Sequence, residues 1–300
     1  MENDCSENFK SGFVNILGNP NVGKSTMVNA LVGEKVSIVT NKAQTSRRRV
    51  FGIDTSKTYQ IVYSDTPGLI IPKYEMQKRM MKEAFSTIHD ADVFLWVIDL
   101  TDKNYEFDIE LHKKLVKTTK PIFLILNKID KINQNEELEN FKKSWHEKVP
   151  ELTKLFSISA HKGIGIDKIK TSILEYLPEH PAYFPEDVYT DKTERFFASE
   201  IVREKILEFY RDEIPYCCEV YIESFIEEET IIRISSIIYV ERQTQKEILI
   251  GKGASAIKKM STAARLSMED FFAKKIFLQQ LVKVKENWRN DNKILNDFGY

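Results

Sequence analysis

The sequence predicts an α/β protein: a layered domain on a mainly parallel sheet, followed by a smaller α+β domain. Three observations predict it. In the first half, short apolar runs that end in turn residues alternate with amphipathic stretches. A stretch without periodicity, residues 178–191, then interrupts the chain and carries Pro178, Pro181 and Pro185. Beyond it the order changes to a helix, two alternating runs, two helical stretches and a last apolar run. The 300 residues suit two domains of ordinary size, with one expected over 1–178, a linker or strap over 179–191, and a second over 192–300.

The strands expected in the first domain are residues 13–17, 50–53, 59–63, 93–98, 122–126 and 156–158. The later ones are continuously apolar, as central strands covered on both faces are. A short polar turn separates 50–53 from 59–63, so this pair reads as an antiparallel edge hairpin. Helical patterns occupy 25–31, 75–89, 107–117, 138–148 and 166–176. In the second domain a helix is expected over 194–210, with Phe197, Ile201 and Ile206 on its apolar side. A hairpin of 218–226 and 231–240 turns through Glu227–Glu229, and a helix over 255–273 precedes a strand near 276–284.

With 42% hydrophobic and 30% charged residues, the composition is that of a globular protein. Residues 1–10 are acidic and polar and lack the pattern of a signal peptide, and no run of about 18 apolar residues suggests a membrane span. Cys5, Cys217 and Cys218 show no metal-binding spacing and read as free thiols of a cytoplasmic protein. If 217–218 lie on a strand, the two thiols project to opposite faces. The net charge of −1 hides a division: residues 191–241 carry 6 basic and 13 acidic side chains, and 242–293 carry 12 and 5.

The segment Gly18-Asn19-Pro20-Asn21-Val22-Gly23-Lys24-Ser25 leaves a strand and opens a helix. It fits the phosphate-binding loop of P-loop NTPases, with Thr26 following in the helix. Backbone N–H groups and the helix N-terminus would face phosphates. Lys24 would bridge the β- and γ-phosphates, and Ser25 would hold Mg²⁺. Three more segments follow apolar strands. In Asp65-Thr66-Pro67-Gly68, the carboxylate suits Mg²⁺ through water and the Gly68 N–H suits the γ-phosphate. In Asn127-Lys128-Ile129-Asp130, Asp130 could accept from the two N–H donors of guanine, a pair that adenine lacks. At Ser159-Ala160 a backbone N–H could meet the guanine oxygen.

These four segments, in this order, resemble the translation-factor-related GTPases, whose G domain is Ras-like. The resemblance implies GTP and GDP as ligands, Mg²⁺ as cofactor, and a metal-binding threonine in the first switch segment. Thr45 in Lys42-Ala43-Gln44-Thr45-Ser46-Arg47 is the candidate, with Thr40 nearby. The position that often carries a water-orienting glutamine is Leu69, followed by Ile70 and Ile71. Slow intrinsic hydrolysis is therefore expected, with Lys24, Asn21, Thr45 and Gly68 as the catalytic set. In related GTPases of this subgroup the residue matching Asn21 binds K⁺; the alternative is that Asn21 only shapes the loop. Arg47, Arg48 and Arg49 suit either a contact with RNA or a partner, or a solvated edge.

In the basic half, Ile250-Gly251-Lys252-Gly253-Ala254-Ser255-Ala256-Ile257-Lys258 resembles the GxxG loop of a KH domain. Such a loop clamps about four nucleotides of single-stranded RNA. Aligned on Ile257, the second glycine of the family pattern falls at Ala254, which restricts the backbone. The segments Thr193–Phe197, 201–206, Thr262-Ala263-Ala264-Arg265, 274–278, 282–285, Trp288-Arg289 and Phe298-Gly299-Tyr300 complete a resemblance to the Era family of bacterial GTPases. It spans nearly the whole chain. It implies a type II KH domain binding RNA through Ile250, Gly251, Lys252, Gly253, Ala254, Ile257, Lys258 and Arg265. It also implies binding to the 3′ end of 16S rRNA, a role in assembling the 30S ribosomal subunit, a monomer, and peripheral contact with the inner membrane. Two other readings stand beside it: an RNA-binding module with a passive nucleotide site, and a metabolic P-loop kinase, which Asn127 to Asp130 opposes.

Overall fold

The structure is a computed structural model that describes residues 9–102, 105, 107–132 and 135–300, so Cys5 lies outside it. Two compact units emerge from the contacts. The first comprises the chain up to Ser37, Ser46–Ile71 and Met80–Asp191; the second comprises Ile38–Thr45, Pro72–Arg79 and Lys192–Tyr300.

The first unit is a six-stranded sheet in the order β2-β3-β1-β4-β5-β6, formed by β1 (Lys10–Leu17), β2 (Val50–Thr55), β3 (Tyr59–Asp65), β4 (Val93–Asp99), β5 (Ile122–Asn127) and β6 (Lys154–Ser157). Only β2 is antiparallel, pairing with β3 at the edge as the short polar turn predicts. The continuous apolar runs are central: every residue of β5 is buried, and so is β4 as far as Ile98. Alternate residues serve two faces. Val93, Leu95, Val97, Phe123 and Ile125 join one core with Met27, Val28 and Leu31 of α1 (Lys24–Val32) and Ile166, Ile169 and Ile173 of α5 (Ile166–Leu174). From the opposite face, Trp96 meets His112 of α3 (Ile109–Val116) and Trp145 of α4 (Asn135–Lys148). Helix α2 (Glu75–Ser86) ends three residues earlier than the 75–89 pattern, because Thr87–His89 tightens into a 3₁₀ turn.

Residues 178–191 are strapped along this sheet. The Gln60 side chain accepts from the N–H groups of Tyr183 and Phe184 and donates to the Phe184 carbonyl, and the Ile53 N–H donates to the Tyr189 carbonyl. The sequence leaves this segment without periodicity because its partners are single groups on β2 and β3, met one at a time.

In the second unit, α6 (Glu194–Phe209), α7 (Ile214–Cys217), α8 (Gln243–Ile250) and α9 (Ser255–Phe272) pack with a sheet ordered β7 (Glu219–Glu227), β8 (Ile231–Val240), β9 (Lys275–Val284). The β7–β8 pair is antiparallel and β8–β9 is parallel. Ile201, Val202, Ile206, Ile234, Ile238, Met260, Met268 and Val282 fill the core. A short helix α10 (Asn292–Asp297) closes the chain, started by Asp291, which accepts from the N–H groups of Lys293 and Ile294. The strand expected from residue 218 begins one residue later, at Glu219: Cys217 ends α7, Cys218 precedes β7, and both are buried. Ile214 and Pro215 open a helical turn there, and Pro suits the first turn of a helix.

Helix α6 departs from a one-sided pattern. Arg203 and Glu204 are buried as well as its apolar residues. Arg203 pairs with Glu200 and donates to the carbonyls of Gln44 and Thr45, so the segment Ile38–Thr45 covers the polar side of the helix. No periodicity in α6 could show that cover, because it comes from residues about 160 positions away.

The turn before α9 places Ala254 at φ +59°, in the left-handed region. An L-residue with a Cβ is strained there by about 1–2 kcal/mol relative to glycine. Ala254→Gly is therefore expected to raise the stability of the protein by about 0.5–1 kcal/mol, net of the extra freedom glycine gives the unfolded chain. Urea unfolding of the full chain measures this, and a lower midpoint for the glycine variant would show that the turn relaxes.

Candidate nucleotide site and candidate RNA loop

Parallel strands put their carboxyl ends along one edge, where open α/β sheets bind ligands. The four segments singled out from the sequence leave β1, β3, β5 and β6 at that edge. Gly23 caps α1 at φ +98°, and a Cβ there would meet the Asn127 side-chain nitrogen at 2.3 Å. Only glycine lets the loop pass so close to Asn127. Asn127, 2% exposed, donates to the Val22 carbonyl at 2.8 Å and accepts from the Ala160 N–H at 3.0 Å. Asp130 accepts from the Ser159 hydroxyl at 2.5 Å. That hydrogen bond holds its carboxyl below the usual range, so it is ionised.

Lys128 reaches back over the phosphate loop. Its ammonium donates to the Asn21 carbonyl at 2.9 Å and pairs with Asp99 at 2.5 Å. Asp99 was not among the expected residues. It ends β4 in register with Asn127, and that strand-end position is the signal that could have found it. Asn21 itself stands at φ +64°, in the left-handed region. Thr66 donates to the Ile16 carbonyl, and the Leu69 N–H donates to Gly18, fixing the Asp65–Gly68 segment beside the phosphate loop.

Lys24 is buried and donates to the carbonyls of Gly18 and Asn19 at 3.0 and 2.8 Å. Burial lowers its pKa to about 8, against the pull of Asp65. Asp65 is wholly buried, and desolvation raises its pKa against hydrogen bonds from serines. Its Oδ2 lies 3.3 Å from the Ser46 hydroxyl, which lies 2.8 Å from that of Ser25. Asp65 Oδ1 is buried without a hydrogen-bond partner. An orphaned carboxylate oxygen beside two hydroxyls suits a hard cation with oxygen ligands, so these residues fit Mg²⁺.

Ser46 is the residue the sequence reading missed. The hydroxyl of Thr45, the expected ligand, meets Thr40 at 2.7 Å and the Lys42 carbonyl at 2.6 Å. The adjacent hydroxyl in Thr45-Ser46 was the available signal. The arginines after it are not a solvated edge. Arg47 is buried, and Arg49 donates to Ser64, pairs with Asp90 at 3.5 Å and stacks on Phe51. Leu69 is buried and, with no polar atom, orients no water.

In the second unit, Gly251 has φ +73°, and a Cβ there would meet Ala256 at 2.7 Å. The close turn exposes Lys252 and Gly253 and leads into α9 with Lys258 exposed and Ala254 and Ile257 half-buried. Ile250 packs on the core beneath. Helix α9 begins here, so its first N–H groups and Lys252 give the turn positive potential. Arg265 is engaged elsewhere: it pairs with Glu269 at 2.7 Å, which accepts from the Ile276 N–H at the start of β9.

Comparison with known proteins follows this division. The family described as a 50S ribosome-binding GTPase matches residues 13–128, and the KH domain family matches 213–289. "GTPase Era" of Syntrophus aciditrophicus is 41% identical over 99% of this chain and 97% of its own. "GTPase ERA-like, chloroplastic" of Oryza sativa is 44% identical over 98% of this chain and 70% of its own. A crystal structure of Era with MgGDPNP and nucleotides 1506–1542 of 16S ribosomal RNA matches with a TM-score of 0.93 at 37% identity, over 97% of this chain and 99% of that one. Aquifex aeolicus Era bound to GDP and aluminium fluoride, a point variant, gives the same figures.

The buried Lys24 yields a pH prediction. Its pKa in the free protein, about 8, lies below the ordinary 10.5, so it loses charge as pH rises through 8. Bound phosphates favour the ammonium, so above pH 8 binding takes up a proton and weakens. GDP affinity is expected to fall about tenfold per pH unit once above 8. The slope should disappear in Lys24→Arg, which stays protonated. Titration of a fluorescent GDP between pH 7.5 and 9 reads it, and equal slopes in both proteins would contradict the assignment.

Proposed function

Because this chain belongs to the Era family of GTPases, we propose that it is a GTP-hydrolysing switch whose C-terminal KH domain binds the 3′ end of 16S rRNA during assembly of the 30S subunit. The observation that carries the reading is the convergence of Lys24, Asp65, Asn127 and Asp130 at one sheet edge in a chain that also folds a Gly-Lys-Gly turn onto a basic helix.

Asp130 selects guanine, with the Ala160 region completing the base pocket and Lys128 covering it. Lys24 leaves its two carbonyl acceptors for the phosphates. Ser25, Ser46 and Asp65 hold Mg²⁺, which supplies charge neutralisation at the transferring phosphoryl group. A monovalent cation near Asn21 belongs to the same proposal. With Leu69 in place of a glutamine, positioning and electrostatics carry hydrolysis, and the intrinsic rate is slow.

The link from nucleotide to RNA rests on segments Ile38–Thr45 and Pro72–Arg79, which flank the nucleotide loops in sequence yet fold with the C-terminal unit. Arg203 holds the first through the Gln44 and Thr45 carbonyls. The second is held by the Arg289 carbonyl, which accepts from the Met76 N–H at 2.9 Å, and by Arg79, which donates to the Tyr300 carbonyl at 2.9 Å. In this reading GTP biases both segments and through them the RNA site. The chain acts as a monomer in the cytoplasm. No helix among the described residues is long and apolar enough to cross a membrane, so the inner-membrane contact that the family implies is made at the surface.

Asp130→Asn is expected to weaken GDP about a hundredfold, through loss of two charge-assisted bonds, and to improve xanthosine diphosphate. Competition binding with both nucleotides decides it, and unchanged guanine affinity would remove the base-selection role. A labelled oligonucleotide copying the 3′ tail of 16S rRNA should bind more tightly with a GTP analogue than with GDP. Gly251→Asp with Gly253→Asp should abolish that binding, and Arg203→Ala should equalise the two states. Equal affinity in both states of the unaltered protein would overturn the coupling, and no binding in either would overturn the RNA reading.

A further inference from the structure

The outer face of the C-terminal sheet has a chemistry that the loop before α9 does not use, and the reading of it rests on the RNA-binding role proposed above. Ile232, Ile234, Ile238, Ile276 and Val282 point into the core, so their neighbours along β8 and β9 point outward. Strand register aligns Ile226, Arg233 and Phe277 in one outward row and Tyr221, Ile237 and Leu281 in another. The edge-strand members are open: Tyr221 is 43% exposed, Ile226 54%, Phe277 49% and Leu281 52%. The Arg233 guanidinium lies 5.4 Å from the centre of the Phe277 ring. Lys275, Gln279 and Lys283, all exposed, alternate with Phe277 and Leu281 along β9.

One end of this face is already covered. Tyr239 packs on Phe298 at 5.2 Å, and the Tyr300 hydroxyl donates to Glu219 at 2.7 Å. Acidic groups sit toward β7 and the hairpin turn: Glu223 accepts from Ser235, Glu228 pairs with Arg233 at 2.9 Å, and Glu227 pairs with Lys274 at 3.0 Å. What is open along β9 is an aromatic ring beside an arginine, an apolar neighbour, an amide and two lysines.

We propose that this strip of β8 and β9 is a second RNA-binding surface, taking single-stranded nucleotides beyond those held by the loop before α9. A GxxG-type loop grips about four nucleotides, so a longer strand needs another support. An exposed ring accepts a base by stacking whatever its identity, a neighbouring guanidinium strengthens the stack, and Lys275 and Lys283, eight residues apart at the two ends of the strip, meet the phosphates of a strand running along it. Gln279 between them offers hydrogen bonds to a base edge.

The test compares two single-stranded RNAs on the full-length protein, one of about six nucleotides that fills the loop groove and one of about twenty that extends beyond it. Phe277→Leu keeps an apolar residue on the strand but removes the ring. It should weaken the long RNA about tenfold and leave the short one unchanged. Lys275→Gln with Lys283→Gln should lower the salt slope for the long RNA by about 1.4, the value for two single-strand phosphate contacts. If Phe277→Leu binds the long RNA as the unaltered protein does, or loses both RNAs equally, the proposal is overturned and the face is left to a protein partner. An unaltered protein that binds neither RNA fails at the previous stage, since the RNA role itself then falls.

Discussion

The Asn127 side chain has both ends committed. Its nitrogen donates to the Val22 carbonyl in the phosphate loop, and its oxygen accepts from the Ala160 N–H in the loop after β6. Three loops from three strands are thereby fixed to one another through a single buried amide. Removing it would leave a buried carbonyl and a buried N–H unpaired, at about 1–3 kcal/mol each. The glycine at 23 exists in relation to this contact, since a Cβ would displace the amide. Asp130 and Lys128 follow Asn127 on the same turn, so their places depend on it too.

Around that anchor the site holds charge in a dry setting. Lys24 and Asp65 are both buried, and burial moves each toward neutrality. Such a pair responds strongly to whatever charge enters, because low-dielectric surroundings strengthen every interaction. A phosphate restores the lysine, and a divalent cation would restore the carboxylate. Triphosphate and metal thus relieve opposite costs in one place, a physical reason for them to bind together.

The second unit reads charge differently. Its turn before α9 is exposed and gains potential from a helix end and lysines rather than from burial. Two of its buried charges, Arg203 and Glu204, lie on α6 against the segment Ile38–Thr45. A buried guanidinium must have its donors satisfied, and main-chain carbonyls of that segment satisfy them. The helix is therefore bound to one conformation of a segment next in sequence to Ser46, whose hydroxyl lies beside Ser25 and Asp65. That coupling depends on hydrogen bonds to the backbone, which no side-chain pattern announces.

The sequence by itself determined the elements and their order, because alternation and helical period reflect which faces are buried. It also determined the phosphate loop, Asp65, Asn127 and Asp130, since each lies within a few residues of a strand end and needs only local geometry. The tertiary structure decided the rest. It chose Ser46 over Thr45 for the hydroxyl beside Ser25, because which of two neighbours faces the site depends on how the segment is held. It brought Asp99 to Lys128, turned Arg47 and Arg49 inward, and put Ala254 in a left-handed turn. Local sequence limits what a side chain can do; which partner it meets is set by residues distant in the chain, and those meet only when the sheets and helices close on one another.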